Sequence, residues 1–254
     1  MNGQRRSLRQ RVLAGERVCG VLLRIPAEEL VEMLAVAGFD FILIDCEHGP
    51  ADVVALRQHI AAAAMHGVDV LVRVGTGEEA LILRSLDHGA TGIVAPHVDS
   101  PAQAAQLVAA THYPPHGHRG FATYGRSGRY GGVDAAAHQS RLAAETLVIA
   151  MVESPTAVAA VAEIAAVPGI DGIMLGAADL AASSTPEQLS LLESRGRVNA
   201  ALAAAGSLRL DLVGDAEAAA AAYSDGAQMV AYNLTQVLMR QFAGLLAPRP
   251  ADAR

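Results

Sequence analysis

Short, nearly continuous apolar runs alternate along this chain with longer segments whose apolar residues recur at helical spacing. The runs at 19–25, within 39–50, and at 69–74, 92–98, 146–153, 172–176, 208–213 and 227–232 predict eight strands buried on both faces. Helices are predicted over 28–37, 52–65, 78–88, 101–110, 156–166, 185–205 and 216–224, after a helix-like N-terminal segment. An apolar helix over 234–246 closes the chain. Gly38 and Gly89 stand where helices end, and Ser100 with Pro101 where one begins. The stretch 111–132 lacks periodicity and holds Pro114, Pro115, Arg119, Arg126 and Arg129; a connection this long reads as a lid or binding loop. Eight strands alternating with helices in 254 residues predict an α/β fold, a single (β/α)8 barrel spanning 1–254. A doubly wound sheet is the rival, but no G-x-G-x-x-G follows the first strand.

Composition sharpens this picture. Apolar residues make up 52% of the chain but aromatics only 4%, with no Trp, so strand side chains must supply the bulk that Ala-rich helices lack. A net charge of −7 without a basic block argues against nucleic acid or an anionic membrane as main partner. Two cysteines, Cys19 and Cys46, are too few for a disulfide framework or a thiolate metal cage. The N-terminal arginines precede no apolar signal-like core, and no apolar run reaches the length of a membrane span. A soluble cytoplasmic protein is expected.

In such a barrel, catalytic groups gather where strands end. Asp45, Glu47 and His48 follow the second run, and Arg73 lies at the third. The fourth gives His97 and Asp99, Glu153 ends the fifth, and Asp179 lies beyond the sixth. Glu153 and Asp179 suit one hard dication, Mg²⁺ or Mn²⁺, which takes one or two carboxylates and leaves other positions to water or substrate. A plainer arrangement stays open, with Glu153 paired to Arg73 and Asp179 capping a helix. His48 with Asp45 reads as a general-base pair, or His48 as an exposed loop residue. Arg73 offers fixed positive charge where negative charge develops, or neutralises the surrounding acids. His97 and Asp99 read as structural. His112, His116 and His118 lack acid or cysteine partners and read as a solvated loop. Thr123, Arg126 and Arg129 lie in a Gly-rich stretch that reads as a cradle for an anionic group, although it lacks the lysine and spacing of a P-loop, or as a flexible surface loop.

Four segments together resemble the HpcH/HpaI family of metal-dependent class II pyruvate aldolases, in the phosphoenolpyruvate/pyruvate barrel superfamily. They are 39–50, similar to F-D-x-x-x-I-D-x-E-H; Leu71 to Val74 around Arg73; Tyr113-Pro114-Pro115 to Arg119-Gly120; and Val152-Glu153 with Asp171 to Leu180. The resemblance implies Glu153 and Asp179 as ligands of Mg²⁺ or Mn²⁺, with Co²⁺ as a further candidate. It implies Arg73 beside the pyruvate enolate, and His48 with Asp45 as a proton-moving dyad. The amides of Gly176, Ala177 and Ala178 would hold the pyruvate carboxylate. A homo-oligomer, hexamer or trimer, is implied, with the 234–246 helix exchanged between neighbours. Met151 stands where many relatives have Gln, Cys46 where Gly is usual and Ala177 where Pro is usual; the segment 181–206 is short. These departures alter the pocket wall and leave the ligands in place.

The expected reaction is therefore reversible cleavage of a 4-hydroxy-2-oxo acid to pyruvate and an aldehyde, with Arg126 or Arg129 binding a distal anion. The alternatives are decarboxylation of oxaloacetate or another 2-oxo acid, and biosynthetic carbon–carbon bond formation by the same chemistry. A barrel retained only for ligand binding is a third possibility, against which the full set of strand-end residues argues.

Overall fold

In a computed structural model, which describes residues 6–50, 52–185 and 188–246, eight parallel strands close into a barrel in chain order. They are β1 Val18–Leu23, β2 Phe41–Asp45, β3 Asp69–Arg73, β4 Gly92–Ala95, β5 Leu147–Val152, β6 Gly172–Leu175, β7 Leu208–Val213 and β8 Met229–Asn233. β8 pairs back onto β1, Val18 against Met229, so no strand edge is left open. Around them run α1 Leu8–Leu13, α2 Glu28–Ala37, α3 Val53–Met65, α4 Glu79–His88, α5 Pro101–Thr111, α6 Ala135–Glu145, α7 Pro155–Ala159, α8 Val161–Ala165, α9 Ala177–Ser183, α10 Leu191–Ala205, α11 Ala216–Ser224 and α12 Leu234–Leu246. Among the described residues no helix is long and apolar enough to cross a membrane.

Local chemistry sets the helix ends. Gly38 and Gly89 take φ of 98° and 105° after α2 and α4, a left-handed conformation that costs glycine least. Asp52 and Ser100 accept the first free amides of α3 and α5.

Strand alternation divides the core in two. One parity, including Val21, Ile42, Ile44, Val72, Ile93, Val148 and Ile173, packs outward with the helices. The other fills the barrel with Val18, Leu22, Phe41, Leu43, Leu71, Val94, Ile149, Met151, Met174, Leu210 and Ala231. Phe41 takes up space that its neighbour gives away: a Cβ on Gly20 would stand 2.5 Å from the ring. One step further along the inward parity, past Leu22, Leu43, Leu71, Met151, Met174 and Ala231, come Arg24, Asp45, Arg73, Glu153, Gly176 and Asn233. The apolar plug thus ends in a polar layer where the strands finish.

Several predicted elements change. The fourth strand stops at Ala95, because Pro96 cannot donate to a ladder and His97 turns to a φ of 53°. The helix over 156–166 divides at Ala160 into α7 and α8. The helix expected from 185 begins only at Leu191, where Ser190 and Glu193 form a capping box; Pro186 lies outside the described residues. α6 and α9 were not anticipated, although Asp134 caps α6 by accepting from Ala137 N at 2.9 Å.

The largest correction concerns the long connection. It leaves α5, feeds α6 and then β5, and so belongs to the rim where strands begin. Ser127 N donates to the Asp87 carbonyl near the end of α4, and Arg126 Cδ approaches Gly89, while α6 packs against α1. In this chain it is a brace beneath the barrel rather than a lid over its mouth.

Candidate active site

The polar layer is built from strand ends that the barrel brings face to face. β2 and β3 pair with Asp45 opposite Arg73, and the two side chains meet as a fork. Arg73 Nε donates to Asp45 Oδ1 at 2.9 Å and Nη2 to Oδ2 at 2.6 Å. From β1, Arg24 Nε donates to the same Oδ2 at 2.7 Å, and its Nη1 to Asn233 Oδ1 at 3.2 Å. The main-chain N–H groups of Glu47 and His48 complete the set on Oδ1, each at 3.2 Å. Burial alone would raise the Asp45 carboxyl, yet the hydrogen bonds and charge of Arg73, with help from His48 N–H and Arg24, hold it below the usual carboxylate range.

In this structure the two residues of the expected dyad do not meet side chain to side chain. Asp45 is fully buried and occupied by two guanidiniums, and it meets His48 only through the main chain. The imidazole of His48 is 57% exposed, and the carboxylate nearest it belongs to Glu47, whose Oε2 lies 3.9 Å from Nε2. Glu47 Oε2 is also 3.3 Å from Arg73 Nε, so it stands between that arginine and His48.

Across the mouth, Glu153 is almost completely buried. Its Oε1 accepts from His97 N at 2.7 Å and lies 3.2 Å from His97 Nδ1. The left-handed turn at His97, unusual for a residue with a side chain, delivers both contacts, so His97 is part of the site and not only of the framework. Gly176 sets the other side: a Cβ there would overlap Glu153 Oε2 and stand 2.5 Å from its Cβ. Burial raises the Glu153 pKa; the His97 contacts oppose this, and the negative charges of Glu47 and Asp179 add to it. Asp179 lies in the first turn of α9, exposed and near enough to act on Glu153 through its charge. The plainer pairing of Glu153 with Arg73 does not form; Arg73 is spent on Asp45 and Glu47.

Among the described residues, the carboxylates of Asp45, Glu47, Glu153 and Asp179 therefore gather at the mouth around the guanidiniums of Arg24 and Arg73. That excess of negative charge, on oxygen ligands beside a buried and mutually repelled carboxylate, fits a hard dication. Among the described residues no cluster of three or more His, Cys, Asp or Glu forms a protein-only metal cage, so such an ion would keep positions for water and substrate.

The remaining candidates separate. Gly176 N is committed to the Val152 carbonyl at 3.0 Å, whereas Ala177 and Ala178 occupy the first turn of α9, where a helix leaves amides without internal acceptors. Thr123, Arg126 and Arg129 lie with the long connection on the opposite rim and do not reach this layer. Cys46 sits beside Asp45, and burial first, then that acid's charge, push its thiol up to about 12. Sequence reading missed Arg24 and Asn233 and left Glu47 without a role; strand parity was the available signal for Arg24 and Asn233, which stand in step with Leu22 and Ala231.

A parallel barrel carrying acids and arginines on its uppermost inward layer has the architecture of a barrel enzyme. The chain belongs to the HpcH/HpaI aldolase/citrate lyase family, whose family model matches residues 20–241. It is 35% identical over 176 residues to a pyruvate aldolase of Rhizobium etli, covering 69% of this chain and 68% of that one. It is 35% identical over 209 residues to 2-keto-3-deoxy-L-rhamnonate aldolase of Escherichia coli K12, covering 79% and 78%. The solved HpcH/HpaI aldolase/citrate lyase family protein of Burkholderia cenocepacia J2315 superposes with a TM-score of 0.86 at 31% identity, over 94% of this chain and 97% of that one.

Proposed function

We propose that the protein is a divalent-metal-dependent aldolase that reversibly cleaves a 4-hydroxy-2-oxo acid to pyruvate and an aldehyde at the C-terminal mouth of the barrel. The observation that carries this reading is the surplus of carboxylates over guanidiniums around the buried Glu153. Glu153 and Asp179 would hold Mg²⁺ or Mn²⁺, with Co²⁺ as a further candidate. When bound, the ion supplies Lewis-acid polarisation of the 2-oxo acid.

The chain's own groups do the rest. Ala177 N–H and Ala178 N–H face the substrate carboxylate at the start of α9. Arg73, locked by the Asp45 fork, sets positive charge beside the 2-oxo oxygen, where negative charge grows as the C3–C4 bond breaks. His48, with Glu47 rather than Asp45 behind it, takes the C4 hydroxyl proton as the C4–O bond becomes the aldehyde carbonyl. The bonding pair of C3–C4 stays with the pyruvate fragment, whose C3 is then protonated. In the synthetic direction the same imidazole returns its proton to the alkoxide. Met151 under Arg73 offers only a sulfur at 4.0 Å from Nη1, so the floor of the pocket adds no strong hydrogen bond.

The exposed Met239, Phe242, Leu245 and Leu246 of α12 support assembly into a homo-oligomer, hexamer or trimer, through that helix.

Pyruvate release from 4-hydroxy-2-oxo acids, measured with Mg²⁺ or Mn²⁺ and after exhaustive chelation, tests the reading. Activity that vanishes on chelation and returns with the ion is expected. Full turnover in chelated enzyme, or release of CO₂ from oxaloacetate with no cleavage of any hydroxy-oxo acid, would overturn it.

A further inference from the structure

With Arg126 and Arg129 on the far rim, the guanidinium left to read the distal end of a substrate is one that the mechanism does not use. Arg24 rises from β1, diametrically across the eight-strand ring from β5, which carries Glu153. Two of its donors are fixed, Nε on Asp45 Oδ2 at 2.7 Å and Nη1 on Asn233 Oδ1 at 3.2 Å. A guanidinium has five N–H donors, so three remain, and the side chain keeps 26% of its surface open at the mouth. Asp45 does not need this arginine for pairing, because the Arg73 fork already engages both of its oxygens. The two anchors instead hold Arg24 still, which lowers the entropy lost when it grips something else.

We propose that Arg24 is a specificity-determining residue that binds a carboxylate at the far end of the substrate, so that the aldehyde partner is an anionic one. This rests on the reading above, in which the 2-oxo acid end sits at Glu153 and Asp179; the remainder would then extend across the mouth toward β1 and β8. A planar fork matches a carboxylate in shape, and a single positive charge matches it in charge. A phosphate dianion would bring a second negative charge into a mouth already rich in acids. Asn233, held through its amide oxygen, leaves its NH₂ as a further donor on the same side.

Two five-carbon 2-oxo acids that differ only at the distal end give the test: 2-oxopentanedioate and 2-oxopentanoate. Their dissociation constants are measured by calorimetry on the full chain loaded with Mg²⁺, for the native protein, Arg24→Gln and Arg24→Lys. The native protein should prefer the dicarboxylate about tenfold, the usual worth of a charge-assisted hydrogen bond. Arg24→Gln should bring that ratio near one, and Arg24→Lys, which keeps the charge without the fork, should fall between. A native ratio near one, or a preference that survives Arg24→Gln, would overturn the proposal; so would equal weakening of both ligands, which would make Arg24 a prop for Asp45. Should Arg24→Gln not fold, the Arg24→Lys ratio decides, an unchanged native preference counting against the fork. Because no turnover is read, a failed aldolase assay with an intact ligand preference would count against the reaction and not against Arg24.

Discussion

The two rims of the barrel spend charge in opposite ways. Where strands begin, acids and arginines are matched. Arg9 holds Asp171 at 2.7 Å, Arg11 holds Asp40 and Glu16, Arg119 holds Asp87, and Arg209 lies between Asp211 and Asp225. Where strands end, Asp45 is gripped by two arginines while Glu153 and Asp179 have none. One rim is stapled shut around α1 and α6. The other keeps a repulsion that only something positive relieves. Matched and unmatched charge are thus drawn from the same residue types, separated by the length of a strand.

Breaking Asp45 should disturb the molecule most. Asp45→Asn takes the charged fork from the buried Arg73 and leaves it Glu47 alone, 3.3 Å from Nε, and a loss of about 3 kcal/mol is expected in denaturant unfolding at neutral pH. The folded carboxyl sits below its ordinary value of 3.8, so its contribution is complete above that pH and drains away as pH falls through the still lower folded value. The gap between native protein and variant should therefore be constant at neutral pH and narrow below about pH 4. A gap independent of pH would show that the ion pair is not its source.

On the stapled rim the expected effect is smaller and purely structural. Asp171 accepts from Arg9 and from Val148 N, so Asp171→Asn should cost about 1 to 3 kcal/mol. kcat/KM at a temperature where the variant stays folded should hold within about twofold. A larger loss of activity would link the two rims.

Smallest of all is the effect expected from replacing Arg126 and Arg129 by Ala together. Both lie with the brace beneath the barrel, and kcat/KM should change less than about twofold. A tenfold loss would bring the long connection into the active site, most directly from a neighbouring subunit.

Much of the site was legible because a barrel converts one-dimensional order into geometry. Once eight alternating runs are recognised, the last inward-facing residue of a run faces the mouth, and Asp45, Arg73 and Glu153 do so. Partnership was harder to read. Asp45 and His48 are neighbours in sequence, but Arg73 stands opposite Asp45 on the adjacent strand, and a cross-strand arginine out-competes a histidine on the following loop. Arg24 escaped notice because it stands inside the predicted run 19–25, without an acid or glycine to mark it; only its parity with Leu22 places it inward. The long connection was misplaced for a different reason. Its arginines suggested a ligand, while its position after a helix and before a strand already assigned it to the rim where strands begin. The helix α9 is hidden in a seven-residue stretch too short for periodicity, which is why Asp179 was expected on a loop or cap rather than inside a first turn.

The most direct test of the central claim is a calorimetric titration of metal-free protein with Mn²⁺, repeated on Glu153→Gln and Asp179→Asn. One site per chain is expected in the native protein, weakened about 10- to 100-fold or lost in each variant, with Glu153→Gln at least as heat-stable as the metal-free native chain because it removes a buried, repelled charge. Unchanged Mn²⁺ affinity in both variants, or no binding to the native protein, would contradict the account.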